Sequence, residues 1–96
     1  MKTIQQLAQL VEGATIIGDK ETIITGIEHD SRKAEAGTLF VCIKGVHVDG
    51  HKFISQAVNA GAKAILTTKE KVDVPAGVAI LRVPDLNKAL DTIVPY

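Results

Sequence analysis

Apolar residues recur along this chain with two different periods, and the switches between them mark out the elements. Ile4, Leu7, Ala8 and Val11 fall at helical spacing. Thr3 followed three residues later by Gln6 has the form of a capping box, in which each side chain satisfies a free backbone N–H at the helix start. The pattern therefore predicts a first helix from Thr3, with Gly13 as its end. "ATII" and "ETIITGI" are β-branched runs separated by "GDK", which reads as a hairpin turning at Gly18 and Asp19.

The polar stretch "HDSRKAEAG" then breaks the pattern and reads as a loop. "TLFVCI", Thr38 to Ile43, is continuously apolar, as a strand covered on both faces would be. After the loop from Lys44 to Gly50, the residues Phe53, Ile54, Ala57 and Val58 repeat at helical spacing, and Gly61 closes that helix. "KAILTT" and "VAILRV" predict two further buried strands joined by the charged loop "KEKVDVPAG". Pro84 and Asp85 open a last helix, Asp85 as its N-cap, with Leu86, Ala89, Leu90 and Ile93 on its inner face. Strands alternating with helices in the second half imply parallel pairing. The expected fold is α/β: a small mixed, partly parallel sheet with flanking helices, made by one domain spanning residues 1–96.

Composition narrows the function without naming it. A chain of 96 residues with 11 basic and 11 acidic side chains carries no strong field. That argues against life on bulk nucleic acid or an anionic membrane. Phe40, Phe53 and Tyr96 are its only aromatic residues, too few for a base-stacking platform. No apolar run approaches the roughly 20 residues of a membrane span. The lone cysteine, Cys42, permits no intrachain disulfide and suits a reducing compartment, so the expected location is cytoplasmic. Cys42 lies mid-strand in an apolar run, where burial would leave it inert.

Two loops carry the candidate chemistry. Gly45 and Gly50 are spaced as in the phosphate-binding pattern G-x-x-x-x-G-K-[ST], but His51 and Lys52 follow where Lys and then Ser or Thr belong. Lys52 is thereby displaced about 100° around a following helix. Asp49 would set its charge against the phosphates. The simpler reading is a strand-to-helix turn, with Asp49 as the cap and the glycines permitting tight geometry. Such a turn lies at the carboxyl end of a strand, where open α/β sheets bind ligands. His29, His47 and His51, with Asp30 and Asp49 nearby, raise a metal site, yet no fourth ligand can be named; none is expected. Asp30-Ser31-Arg32 could hold a nucleophile, or a turn in which Asp30 bonds local N–H groups and Arg32 pairs with a carboxylate. No catalytic set emerges.

The run from His29 to Leu66 nonetheless resembles one family closely. It contains Asp30-Ser31-Arg32, Gly37-Thr38-Leu39-Phe40-Val41, Gly45, Asp49-Gly50-His51-Lys52-Phe53, Gln56-Ala57-Val58 and Gly61-Ala62, in that order. This is similar to the N-terminal domain of the Mur ligases of peptidoglycan synthesis, in their MurE and MurF branch. "VPDLNKALDTIVPY" leans toward the MurE type. The resemblance implies an enzyme of three domains. The first binds the uridine diphosphate end of a UDP-N-acetylmuramoyl-peptide, the second holds ATP and magnesium, and the third brings the incoming amino acid. The MurE type adds meso-diaminopimelate or L-lysine to UDP-N-acetylmuramoyl-L-alanyl-D-glutamate by way of an acyl phosphate; the MurF type adds D-alanyl-D-alanine. No stretch of this chain matches the family's ATP loop. The chain is therefore expected to be the first domain of a longer ligase, without cofactor or catalysis of its own and partnered by the two missing domains. A stand-alone interaction module with the same fold is the non-enzymatic alternative. Carried over, the substrate-binding residues are His29, Ser31, Val46, His47 and Val48. Asp30, Arg32, Lys44, Gly45, Asp49 and Gly50 are weaker candidates.

Overall fold

A computed structural model describes residues 2–44 and 49–93. Among these residues the strands are β1 (Lys2–Thr3), β2 (Thr15–Ile17), β3 (Ile23–Ile24), β4 (Gly26–Glu28), β5 (Thr38–Val41), β6 (Ala64–Thr67) and β7 (Ala79–Arg82). Its helices are α1 (Ile4–Gln9), α2 (Ile54–Asn59) and α3 (Leu86–Ile93), with 3₁₀ turns at Ser31–Lys33 and Gly50–Phe53. The main sheet runs β2-β7-β6-β5-β4. The pairs β4–β5, β5–β6 and β6–β7 are parallel, and β2 joins β7 antiparallel. The mixed, mostly parallel α/β sheet is thus the expected architecture.

Strand alternation builds two cores, one on each face of the sheet. Leu39 and Val41 of β5, with Leu66 and Leu81, pack against Ile4 and Leu7 of α1 and Ala89 and Ile93 of α3. Phe40, Ile65 and Ile80 turn the other way and meet Ile54 and Ala57 of α2. All four residues of β5 and all four of β6 are buried, which is why those segments read as unbroken apolar runs.

The expected N-terminal hairpin does not form. β2 pairs with β7, through Thr15↔Arg82, Ile16↔Leu81 and Ile17↔Ile80. β3 instead pairs with β1, through Lys2↔Ile24 and Thr3↔Ile23. Pairing with β7 gives Ile16 a place against the larger core. The turn at Asp19 is real, since Asp19 Oδ1 accepts the Glu21 N–H at 2.9 Å, but the strands it joins go to different partners.

Helix boundaries shift less. The capping box at Thr3 and Gln6 is present, with both reciprocal bonds made. The α-helix stops at Gln9 rather than Gly13, because the N–H groups of Leu10 and Val11 turn to carbonyls three residues back. Asp85 caps α3 as expected, accepting the Lys88 N–H at 3.0 Å. Because β4 to β7 are parallel, the chain leaves each at one common rim. His29, Cys42, Thr68 and Val83 follow the four strand ends there.

Candidate functional site

The turn after β4 is built by its own side chains. The Glu28 carboxylate accepts the N–H groups of His29 and Asp30 at 3.0 and 3.1 Å. Asp30 then caps the 3₁₀ turn, accepting the Arg32 N–H at 2.9 Å. Arg32 also grips Asp30 in a two-point fork, Nε to Oδ1 at 3.0 Å and Nη2 to Oδ2 at 2.8 Å. These bonds hold the Asp30 carboxyl well below the usual carboxylate range and raise the Arg32 guanidinium. Of the two readings of Asp30-Ser31-Arg32, the geometry matches the turn. Two of the nitrogens Arg32 could offer a ligand are committed to Asp30.

Ser31 sits between these charged neighbours yet is buried. Its Oγ donates to Oε1 of Gln56 on α2 at 2.9 Å, which ties the β4–β5 connection to the helix on the far side of β5. Around this bond lies an open hollow of about 400 Å³, lined by His29, Asp30, Ser31, Arg32, Phe53 and Gln56. A larger, mainly apolar hollow of about 460 Å³ runs along β4 and shares only His29 with it. The smaller one holds the polar groups able to orient a ligand, so it is the better candidate.

The second loop is anchored at both ends. Lys44 and Asp49 form an isolated antiparallel bridge, and the Gly50 N–H donates to the Ile43 carbonyl at 2.8 Å. A Cβ at Gly50 would stand 2.8 Å from the Ile43 nitrogen, so glycine is required here for close approach. Asp49 caps the 3₁₀ turn through the His51 N–H at 3.0 Å. His51 Nδ1 lies 2.5 Å from Asp49 Oδ1, and its Nε2 lies 2.7 Å from Thr67 Oγ1. Both ring nitrogens are therefore engaged within the protein. Among the described residues no three of His, Cys, Asp and Glu group as a metal site. Asp49 acts as the cap, as the simpler reading has it, and its carboxyl is drawn down to about 2 by the two His51 bonds. Lys52 is exposed.

Of the residues expected from the sequence, the structure brings His29, Asp30, Ser31 and Arg32 to one hollow. It sets Lys44, Asp49 and Gly50 at the base of the neighbouring loop on the same rim, where Asp49 faces His51 and Lys69 rather than that hollow. Gly45, Val46, His47 and Val48 lie outside the described residues. Sequence reading overlooked Phe53 and Gln56 as site residues. The sequence sets Phe53 at helical spacing with Ile54, Ala57 and Val58, but it falls in the 3₁₀ turn before α2 and is 38% exposed. The signal available was their place beside Asp49-Gly50 and Ala57 in the run that carries the family resemblance.

Residues 23–96 match the family described as "Mur ligase family, catalytic domain". The chain belongs to the Mur ligase family. It is 39% identical over 87 residues to a UDP-N-acetylmuramoyl-L-alanyl-D-glutamate–2,6-diaminopimelate ligase of Clostridium perfringens, covering 91% of this chain and 18% of that one. Against the ligase of the same name from Listeria monocytogenes it is 48% identical over 77 residues, 79% of this chain and 15% of the other. Among solved structures, MurF from Acinetobacter baumannii superposes with a TM-score of 0.74 at 34% identity, over 95% of this chain and 20% of that one. The fold is that of the Mur ligase N-terminal domain. The chain spans about a fifth of the length of these relatives. No helix among the described residues is long and apolar enough to cross a membrane.

Proposed function

We propose that this Mur ligase domain docks the uridine diphosphate end of a UDP-N-acetylmuramoyl-peptide for a MurE-type ligase. The longer enzyme adds meso-diaminopimelate or L-lysine to UDP-N-acetylmuramoyl-L-alanyl-D-glutamate in the cytoplasm. The observation that carries the reading is the hollow at the strand rim where Ser31, His29 and Gln56 meet, in a chain whose relatives are named for UDP-muramoyl substrates. His29 and Ser31 then contact the UDP moiety, together with Val46, His47 and Val48 of the adjacent loop. Arg32 and Lys44 supply charge near the diphosphate. ATP and magnesium belong to the central domain and the amino acid to the C-terminal one, so the chain holds neither and carries no catalytic residue. It binds the substrate's nucleotide, and the remaining domains perform the ligation.

Titration of the 96-residue chain with UDP and ADP tests this, with saturable binding of UDP and a clear preference over ADP expected. Ser31→Ala should weaken it. Equal affinity for both nucleotides would overturn the reading.

A MurF-type ligase is the second reading, favoured by the solved structures that superpose on the chain. Assay of the longer gene product with diaminopimelate, lysine and D-alanyl-D-alanine separates the two. A reading frame that encodes no downstream ATP loop would instead favour a stand-alone interaction module.

A further inference from the structure

The bond from Ser31 to Gln56 has a direction, and the direction has consequences. A serine hydroxyl owns one hydrogen and two lone pairs. Ser31 gives its hydrogen to Gln56 Oε1 at 2.9 Å. What its oxygen can still turn to the hollow is acceptor capacity alone. Ser31 is only 7% exposed, so the surrounding turn holds the hydroxyl in place. Phe53 lines the same hollow and leaves a flat apolar ring partly open to it.

We infer that Gln56 is a positioning residue that fixes Ser31 as a hydrogen-bond acceptor, so that Ser31 reads the imide N–H of uracil. The inference rests on the uridine diphosphate reading above and adds which part of that ligand Ser31 meets. Diphosphate oxygens only accept, so an acceptor-only hydroxyl has nothing to offer them. Uracil presents a ring N–H on its outer edge. Cytosine presents a bare ring nitrogen at the same position, which would set lone pair against lone pair. A buried group left so mispaired costs more than a missing contact. A ribose hydroxyl is the other donor the ligand carries, and the test separates it from the base.

The 96-residue chain and its Ser31→Ala, Gln56→Leu and Gln56→Glu variants are titrated with UDP, CDP and 2′-deoxy-UDP, with circular dichroism as the check on folding. Gln56 is exposed, so neither substitution there disturbs a core. The unaltered chain should favour UDP over CDP by about tenfold. Ser31→Ala and Gln56→Leu should bring that ratio to within about threefold, the latter because the released hydroxyl can rotate and donate to cytosine. Gln56→Glu should keep the preference, since a carboxylate still accepts the serine hydrogen. Its added charge opposes both diphosphates alike and cancels in the ratio, a pattern that a merely structural role for Gln56 does not produce. A UDP-to-CDP ratio unmoved by Ser31→Ala and Gln56→Leu, in a chain that still prefers UDP to ADP, overturns this inference and leaves the proposed function standing. So does a Ser31-dependent penalty that follows the 2′-hydroxyl rather than the base. Indifference between UDP and ADP overturns both.

Discussion

His51 Nε2 and Thr67 Oγ1 lie 2.7 Å apart, joining the turn that follows β5 to the carboxyl end of β6. Thr67 is fully buried, and its oxygen also accepts the Lys69 N–H at 3.0 Å. One hydroxyl therefore holds two loops at the rim. Thr67→Val keeps the shape but strands the His51 ring nitrogen and the Lys69 N–H. An unsatisfied buried group costs about 1–3 kcal/mol. The variant should unfold at correspondingly lower urea, with a melting temperature lower by roughly 4–8 °C per kcal/mol in a domain of this size. Thr67→Ser, which keeps the hydroxyl, should lose less. Equal losses in the two variants would show that the methyl group matters and the hydroxyl does not.

Asp49 makes the stability of this corner depend on acid. Its carboxyl is lowered from 3.8 to about 2, first by the His51 backbone N–H and then by the His51 ring. A group whose native pKa is depressed binds its proton more readily when unfolded, so its contribution is present above about pH 4 and is lost as pH falls through about 2. Asp30, held low by Arg32, acts in the same sense at still lower pH. Melting curves taken between pH 5 and pH 2 should fall more steeply for the unaltered chain than for Asp49→Asn. Parallel curves would mean that the Asp49 bonds form no better in the native state than in the unfolded chain.

The sheet was legible where burial is two-sided and the pattern long. Thr38–Val41, Ala64–Thr67 and Ala79–Arg82 read as strands because their apolar runs are too short for a helix and are bounded by turn signals. The N-terminal runs were misread because their alternation specifies a strand without specifying its partner. Ile16 and Ile24 find different neighbours, and only the free edge of β7 and the approach of Lys2 decide which. The site was legible in part. Asp30 and Asp49 announce their turns, since a short carboxylate bonds the N–H two residues on. Gln56 could not be placed by local chemistry, for its bond to Ser31 spans 25 residues and exists only once α2 packs across β5. The uridine nucleotide proposed for this rim rests on the resemblance to the Mur ligases. Charge, composition and spacing alone stop at a ligand-binding rim.

Gly61 should be costly to replace. Its φ is +116°, a conformation that L side chains rarely adopt, and an added Cβ would stand 2.7 Å from the Ala36 nitrogen. Its carbonyl also accepts the Gly37 N–H at 3.0 Å, which fastens the end of α2 to the segment entering β5. The obstacle is backbone, which cannot step aside as a long side chain would. Gly61→Ala should therefore lose about 1–3 kcal/mol for strain, and more where the Ala36 segment must move. Gly26→Ala, where a Cβ meets nothing within 4 Å, is the matched control and should stay within about 0.5 kcal/mol. Urea titrations that rank the two variants equally would remove the packing argument.

Cys42 should react as a core residue and not as a nucleophile. It is 3% exposed, directly after β5, and packs with Phe40 and Ile65 on the α2 face. Burial is the main reason its thiol is pushed up to about 12, with the Asp49 charge adding to it. The thiolate is the reactive form, so two barriers act together: the proton is hard to remove and the reagent cannot approach. At pH 8 the native chain should react with a thiol-exchange reagent only as fast as it opens, and the rate should rise by orders of magnitude in denaturing urea. Cys42→Ser tests the same burial from the other side. It places a hydroxyl among apolar neighbours and should cost about 1–3 kcal/mol, whereas Cys42→Ala, which adds no polar atom, should cost less. Fast labelling of the folded chain, or a serine variant as stable as the alanine one, would place Cys42 in contact with solvent and contradict the packing of this face.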